Sequence, residues 1–183
     1  MILKNINRKP LGNILKILLV VLFTLFLLDA KSQSLEYTVK ALYIEKFARF
    51  TDWKNSIKGE YFTIAILGES PFKGELEKLA KKSIKIKNKP IKIVYIKNTS
   101  EAENCQLVFI CASEKKNLTE IIKQLEKFNI LVISDSPGFC KKGVHFNLYL
   151  DESEVRYEVN PSAIKKSNLE VEMQLLNLGK IIN

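Results

Sequence analysis

Few residues in this chain have the type and the spacing that catalysis requires. His145 is the only histidine, so a Ser-His-Asp or Cys-His catalytic set would have to use it. It alternates with Val144 and Phe146 in a predicted strand, and the sequence contains no G-x-S-x-G motif, no H-E-x-x-H motif and no Cys/His cluster with metal-ligand spacing. We therefore expect a surface or hydrogen-bonded histidine, and we predict no catalytic residues, no metal site and no cofactor.

Acidic residues and glycine-containing loops give no stronger chemical signal. Asp151, Glu152 and Glu154 occupy solvated positions of a predicted hairpin, whereas a glycosidase pair needs a cleft between its two carboxyl groups. The segment 68–71 has one glycine before a predicted helix and lacks the Lys-Ser/Thr ending of a phosphate-binding loop. A helix N-terminus there would hold an anion only weakly.

Three cysteines permit at most one intramolecular disulfide bond and leave one thiol over. Cys105 and Cys111 lie six residues apart in one predicted strand, which separates them by about 20 Å. Since the Cα atoms of a disulfide lie within about 7 Å, these two cannot form a bond while the strand stays extended. Cys140 follows the neighbouring strand and could approach either of them; buried or free thiols are the alternative.

The N-terminal residues have the order of a secretory signal. A basic stretch precedes the apolar run 17–28, and the small residues Ala30 and Ser32 follow in the spacing that signal peptidase needs. The run is 12 residues long, shorter than the roughly 20 needed to cross a bilayer as a helix, so an uncleaved anchor is the weaker interpretation. We predict a signal peptide over residues 1–32, a mature chain of residues 33–183 and a periplasmic location.

Export changes what the net charge implies. The full chain carries a formal charge of +9, but residues 1–32 hold five basic residues and one acidic residue, which leaves +5 on the predicted mature chain. A compartment without nucleic acid makes the Lys-rich segment 81–97 a weak argument for nucleic-acid binding, and we expect none. The alternation of Ile with Lys in this segment favours strands whose exposed lysines discourage aggregation. A binding surface for an acidic partner is the alternative.

Hydrophobic periodicity predicts one α/β domain. Apolar residues at helical spacing predict a first helix over residues 35–50 that ends near Trp53. The other predicted elements, in chain order, are a strand at 61–67, a helix at 71–80, two Ile/Lys strands separated by Pro90, a strand at 106–111, a helix at 118–128, a strand at 130–133, strands at 143–149 and 154–159, a helix capped by Asn160-Pro161, and a closing helix at 169–182. Strand, helix, strand with short connections indicates a parallel crossover. We expect a mixed, partly parallel sheet with helices on both faces, in a single domain.

Two local features suggest contacts. Arg156 and Glu158 lie two apart and therefore on one face of a strand, where we expect an ion pair with each other or with a helix above. The loop 134–139 ends a buried strand at the edge where α/β sheets present functional loops, and Phe139 is its exposed candidate.

Four segments of the predicted mature chain follow one another in a distinctive order. They are Val39–Tyr43 leading to Phe47–Phe50 and Trp53; Ile66–Phe72; Cys105–Ile110 leading through Ser113-Glu114 to Leu131–Phe139; and Arg156–Asn160 before the Leu-rich C-terminal segment. Together with the preceding signal peptide, these segments resemble the YfiR family of periplasmic regulators. The resemblance covers nearly the whole predicted mature chain.

The resemblance implies a mixed α/β sheet with helices on its faces, no enzymatic activity, and binding to the periplasmic part of a membrane signalling enzyme. In the best-understood members this partner is a diguanylate cyclase, an enzyme of cyclic-di-GMP signalling that the regulator holds inactive; other members serve histidine kinases or other receptors. Family cysteines occur where Cys105 and Cys140 lie in this chain, so the resemblance also marks these two as possible redox residues.

A predicted partner surface combines aromatic and arginine side chains, the types that dominate interface energies. It comprises Phe47, Arg49, Phe50, Trp53 and Phe139. Burial of these aromatic side chains in the core is the alternative.

Two other functions compete with the regulator hypothesis. A periplasmic small-molecule-binding protein is the second hypothesis, with a crevice formed by the loops after Leu67 and Ser134. A hydrolase that uses Asp135 or His145 is the third. A homodimer is compatible with all three, since a free surface thiol would permit one.

Overall fold

The computed structural model describes residues 9–54, 57, 59–82 and 84–182. The chain divides into two compact units, Met1–Glu36 and Tyr37–Asn183. Residues 1–8 of the predicted signal peptide lie outside the described residues, so the signal peptide and its cleavage stay a prediction. Within the described residues, no helix combines the length and the apolar character that a membrane crossing requires.

Helices and strands follow the predicted order closely. The helices are α1 (Lys9–Arg49), α2 (Glu75–Lys81), α3 (Leu118–Leu125), α4 (Pro161–Lys166) and α5 (Met173–Leu178). The strands are β1 (Thr51–Asp52), β2 (Phe62–Leu67), β3 (Lys85–Ile86), β4 (Lys89–Ile96), β5 (Leu107–Ile110), β6 (Leu131–Ser134), β7 (Phe146–Asp151), β8 (Glu154–Val159), β9 (Glu170–Val171) and β10 (Lys180–Ile181). Short 3₁₀ helices cover Thr99–Ala102, Ala112–Lys116 and Cys140–Lys142.

Among the described residues, eight strands form the main sheet in the order β10-β8-β7-β6-β5-β2-β4-β3. The central strands β7, β6, β5, β2 and β4 are parallel, while the β7–β8 and β3–β4 pairs are antiparallel. A separate two-stranded ladder joins β1 to β9. The predicted mixed, partly parallel sheet is therefore confirmed.

Alternating residues of the sheet supply two cores. Ile64 and Ile66 of β2 point into the larger core, which α1, α2, α4 and α5 cover. Ala65 and Leu67 of the same strand point into the smaller core, which α3 covers. Because the side-chain period of a strand is two residues, each buried strand contributes to both cores, and helices on both faces follow from that alternation.

The turn between β3 and β4 differs from the prediction that Pro90 separates the two strands. Lys87 and Asn88 form the turn, with φ of 49° and 65°, as two-residue hairpin turns require. Pro90 lies inside β4 opposite Lys85. Its missing N–H is tolerated because β3 is the last strand of the sheet and the ladder there is only two pairs long.

The predicted closing helix at 169–182 is wrong. The segment contains β9, the six-residue helix α5 and β10. Gly179 ends α5 at a point where an added Cβ would lie 2.5 Å from Cε2 of Tyr157. The amide N–H of Ile182 then donates to the carbonyl oxygen of Val159 at 2.8 Å. Both ends of the segment thus pair as strands and only its middle is helical, although its apolar composition is compatible with one continuous helix.

Candidate functional site

A groove lies at one edge of the main sheet, where α1, β7, β8, α5 and β10 meet. We call it the edge groove; it has a volume of about 340 Å³ and is lined by Tyr43, Lys46, Tyr149, Arg156, Tyr157, Leu175, Leu178, Gly179 and Lys180. Three of these residues carry positive charge, and none carries negative charge. The groove therefore combines aromatic, aliphatic and cationic side chains within one concave surface.

Packing of Tyr157 fixes the floor of the edge groove. Its hydroxyl donates to the carbonyl oxygen of Leu175 at 2.7 Å, and its ring lies 5.7 Å from that of Tyr43 and 4.9 Å from that of Phe47. Phe47 in turn stacks on Phe146, with ring centroids 4.2 Å apart. Burial raises the pKa of Tyr157 to about 12, so the phenol stays protonated and keeps donating to the end of α5.

An exposed apolar side chain belongs to the groove. Leu178 lines it and is 66% exposed. β10 is the last strand of the sheet within the described residues and pairs on one side only, with β8. Exposed apolar, tyrosine and arginine side chains next to an open sheet edge are typical of protein interfaces.

Three of the five predicted partner-binding residues lie in the core. Phe47 and Trp53 belong to the larger core, and Trp53 Nε1 donates to the carbonyl oxygen of Gln106 at 3.2 Å. Phe139, predicted to be exposed, lies in the smaller core with 1% of its surface accessible. These side chains offer almost no surface to a partner, because their apolar rings complete the packing on both sheet faces.

Arg49 and Phe50 keep surface at the end of α1. Arg49 is exposed and pairs with Glu45 one turn earlier. Phe50 is half-buried against the larger core, and its carbonyl oxygen accepts from the amide N–H of Glu172 at 3.1 Å. Partner binding by these two residues stays a prediction.

Arg156 does not pair with Glu158 as expected. Its guanidinium reaches Asp151 at 3.4 Å and Glu154 at 3.3 Å, around the β7–β8 hairpin. Glu158 instead accepts from Asn147 at 3.3 Å. Arg156 thus pairs with Glu154 two residues earlier on the same strand and with Asp151 of the paired strand β7, and all three side chains of this ion-pair group are solvent-accessible.

The loops that follow β2, β5 and β6 form the carboxyl edge of the sheet, here residues 68–70, 111–114 and 135–139. Asp135 is buried there and binds Lys40 of α1 at 2.8 Å. The hydroxyl of Tyr37 donates to the same carboxylate at 2.9 Å, and Lys40 Nζ lies 4.4 Å from the centre of the Tyr37 ring. Asp135 thus holds α1 against the C-terminal end of β6.

The predicted crevice at this edge is narrow. The strand order reverses between β2 and β5, the usual ligand position in open α/β sheets. There the hydroxyl of Ser113 accepts from the amide N–H of Glu69 at 2.9 Å, and an added Cβ on Gly68 would lie 2.4 Å from that hydroxyl oxygen. A broader depression of about 640 Å³ lies beside it, between residues 97–100 and α3.

All three cysteines are buried free thiols. Burial raises the pKa of Cys105 to about 11 and the pKa values of Cys111 and Cys140 to about 12. Thiols with such pKa values are weak nucleophiles at neutral pH, because the thiolate is the reactive form. A redox role for Cys105 and Cys140 stays a prediction.

His145 is buried and hydrogen-bonded at the opposite, amino edge of the sheet, immediately before β7. Its Nδ1 accepts from the amide N–H of Val132 at 3.0 Å, and its own amide N–H donates to the carbonyl oxygen of Val132 at 3.0 Å. Burial lowers the pKa of His145 to about 4, so the ring is neutral at neutral pH and carries its proton on Nε2. Within the described residues, no group of three or more His, Cys, Asp and Glu side chains is arranged to hold a metal ion.

These features define a small α/β domain with a mixed sheet, a closely packed carboxyl edge and a groove at one sheet edge. The chain belongs to the YfiR/HmsC-like family, whose profile matches residues 37–180. Proteins of this family are periplasmic and regulatory, and the family is non-catalytic. A search among curated proteins finds no match to this chain.

Solved structures with the same fold are distant in sequence. A conserved domain protein from Vibrio cholerae aligns with a TM-score of 0.55 and 9% identity, over 78% of this chain and 60% of its own. The ligand-free, open structure of a substrate-binding protein with adhesive properties from Clostridium difficile aligns with a TM-score of 0.51 and 11% identity, over 76% of this chain and 57% of its own. The chain thus spans about three fifths of either neighbour, and the likeness concerns the fold.

Proposed function

We propose that this protein is a non-enzymatic periplasmic regulator that binds the periplasmic part of a membrane signalling enzyme, a diguanylate cyclase or a histidine kinase, and represses or tunes it. The observation that carries the proposal is membership of the YfiR/HmsC-like family over residues 37–180. The partner binds at the edge groove and at the neighbouring end of α1.

The chemistry of the edge groove supports this choice of surface. Interfaces are enriched in tyrosine and arginine and depleted of acidic residues at their centre, and the groove presents Tyr149 and Arg156 without an acidic lining residue. Leu178 adds an apolar side chain that solvent reaches. Burying it against a partner contributes favourable free energy in proportion to the apolar area removed from water.

Arg49 extends the same surface along α1. It follows the lining residue Lys46 by three positions and therefore lies on a neighbouring part of the helix surface. An acidic segment of a partner would meet Lys46 and Lys180 there, whereas Arg49 and Arg156 already form ion pairs with acidic residues of the protein itself. Charges of this kind increase the rate of association and the specificity more than the final affinity.

The partner is identified by mild crosslinking in cells, affinity purification of the tagged protein and mass spectrometry. We expect enrichment of a membrane cyclase or kinase. Recovery of no membrane protein above background would contradict the regulator proposal and would favour a periplasmic small-molecule-binding protein.

Two substitutions on α5 test the surface. Leu178 and Met173 are 66% and 67% exposed, but only Leu178 lines the edge groove. We expect L178S to reduce the amount of recovered partner severalfold and M173S to leave it unchanged. Both are surface changes that alter the free energy of unfolding by about 0.5 kcal/mol or less. Equal recovery with both variants would remove the edge groove from the proposal without affecting the regulator function.

A further inference from the structure

A second cleft lies at the amino edge of the sheet and is independent of the edge groove. We call it the His145 cleft; it has a volume of about 280 Å³, and its walls are α3, α4 and the 3₁₀ helix Cys140–Lys142. His145 lines it together with the apolar side chains of Ile122, Leu125, Ile130 and Val132. Such a volume is at the small end of ligand sites in proteins.

The imidazole presents one hydrogen-bond donor in this cleft. Nδ1 accepts from the amide N–H of Val132 at 3.0 Å, so the proton of the neutral ring is on Nε2. Within the described residues, no group accepts a hydrogen bond from Nε2. His145 as a residue is 5% exposed. Its Nε2 atom nevertheless keeps some accessible surface, since it is not one of the fully buried polar atoms that lack a hydrogen-bond partner. It is therefore a nearly buried donor that is open to whatever enters the cleft.

Positive charge surrounds the opening. Lys141, Lys142 and Lys166 line the cleft and are exposed, and Glu126 is the one acidic residue in the part of its lining that the structure describes. Within the described part of the chain, none of these three lysines forms an ion pair. Ser162, also exposed, adds a hydroxyl group to the lining. These groups are donors that attract an anion and repel a metal cation.

Asn160 holds the two basic walls in place. Its Nδ2 donates to the carbonyl oxygen of Cys140 at 2.9 Å, and its Oδ1 accepts from the amide N–H of Ala163 at 2.8 Å. Its amide N–H donates to the carbonyl oxygen of His145 at 2.9 Å. The side chain and the main chain of this one buried residue thus connect the 3₁₀ helix, α4 and the histidine, and a cleft with fixed walls loses less entropy when a ligand binds.

We propose that the His145 cleft binds a small phosphate monoester, with the phosphate among Lys141, Lys142, Lys166 and the Nε2–H of His145, and with the apolar part of the ligand against Ile122, the most accessible of the branched apolar side chains in the lining. Several cationic donors around one opening match a dianion with three terminal oxygens better than a single carboxylate. The apolar floor selects an ester with a compact hydrocarbon group over inorganic phosphate. The site is separate from the edge groove, so it neither requires nor excludes a membrane partner.

Because His145 is the only histidine, nuclear magnetic resonance of ¹⁵N-histidine-labelled protein reports on the cleft directly. The protein is purified from cells that express the full chain and is titrated with phenyl phosphate at neutral pH. We expect the Nε2 resonance to shift and to saturate. Benzyl alcohol at the same concentrations and sodium chloride at matched ionic strength should leave it unchanged. No shift with phenyl phosphate, or an equal shift with benzyl alcohol, would overturn the proposal.

Two adjacent lysines of α4 provide a matched pair of variants. Lys165 and Lys166 are both exposed, but only Lys166 lines the cleft. We expect K166Q to weaken binding of phenyl phosphate about fivefold, the change that loss of one exposed charged contact produces. K165Q removes the same charge and should leave the affinity unchanged. Equal weakening by both variants would show a diffuse electrostatic attraction in place of a site and would also overturn the proposal.

Discussion

The two ends of the parallel strands differ in how their polar groups are satisfied. At the carboxyl edge, the Asp135 carboxylate binds Lys40 and Tyr37 within 3 Å, and Ser113 occupies the space between β2 and β5. At the amino edge, His145 keeps an Nε2–H that no described residue accepts, in a cleft bordered by lysines. The position between β2 and β5, where α/β sheets usually bind ligands, is filled here by the protein's own side chains, whereas the amino edge keeps a cleft that reaches a buried histidine.

The difference comes from how the helices attach to the sheet. α1 lies across the larger core and reaches the carboxyl edge, where its Tyr37 and Lys40 meet the loop after β6. At the amino edge, α3 and α4 cover different sheet faces, so a gap remains between them. Buried ion pairs hold elements in a defined arrangement, whereas an open cleft lined by neutral and cationic donors leaves hydrogen-bonding capacity for a ligand.

Replacement of Asp135 should have the largest effect on the carboxyl edge. We expect D135A to lower the free energy of unfolding by about 3 kcal/mol, because the positive charge of buried Lys40 loses this carboxylate. Urea denaturation measures the change. Ser136 is the control: it is buried in the same loop, and its hydroxyl has no hydrogen-bond partner within the described residues, so S136A should change stability by less than about 0.5 kcal/mol. Equal effects of the two variants would contradict a stabilising role for the ion pair.

Acidification should act on the amino edge. The pKa of His145 is about 4 in the folded protein, below the ordinary value of 6.5, because burial disfavours the charged ring. The unfolded chain binds the proton of His145 more readily than the folded protein does. The contribution of the neutral His145 ring to the free energy of unfolding is therefore complete above pH 6.5 and declines as the pH falls towards 4, by up to about 3 kcal/mol. Urea denaturation at several pH values in this range should show that the free energy of unfolding falls more steeply with decreasing pH for the natural protein than for H145Q.

A measurement that does not need a variant completes this test. The ring resonances of His145 should stay unchanged between pH 7 and pH 5.5 while the protein remains folded. A titration midpoint near 6.5 would show that the ring is solvated, and it would remove the neutral Nε2 donor from the comparison of the two edges.

Two glycines allow a smaller comparison of the same edges. Gly143 borders the His145 cleft with φ of 105°, and an added Cβ would lie 2.9 Å from Cγ2 of Ile122. Gly138, in the loop after Asp135, has φ of 80° and open space around an added Cβ. We expect G138A to lower stability by about 1 kcal/mol through backbone strain alone and G143A to lower it by about 2 kcal/mol. Thermal unfolding should show a larger loss of stability for G143A than for G138A. The reverse result would show that the Ile122 side chain moves away from the added methyl group at little cost.

Local sequence signals predicted most of the fold but not its last segment. The Ile/Lys alternation and the apolar runs at 106–111 and 130–133 gave strands because a period of two, or a short continuous apolar run, suits a buried sheet. The segment 169–182 misled the prediction, because apolar side chains at helical spacing do not reveal that β8 and β1 offer strand partners. Gly179 was the available signal, as a glycine near the end of a predicted helix commonly ends it.

The candidate sites were harder to predict, for a related reason. Phe47, Trp53 and Phe139 have residue types that suit an interface, but types alone do not distinguish an interface from a core, and these three are buried. Leu178, Tyr149 and Lys46 carry no motif and lie on separate elements. Only packing brings them together, so no spacing along the chain could have identified the edge groove.

The sequence by itself determined most of the strands and helices before residue 169, the mixed sheet and the family, because hydrophobic period, turn residues and the four ordered segments are local properties of the chain. Tertiary structure decided which polar groups are satisfied. Asp135 and His145 both follow the predicted buried strand 130–133 within 12 residues. The residues next to them in the sequence do not indicate which of the two side chains is satisfied by a partner within the protein. One meets Lys40 from 95 residues away, and the other faces a cleft between two helices, because long-range packing alone sets the partners of a buried side chain.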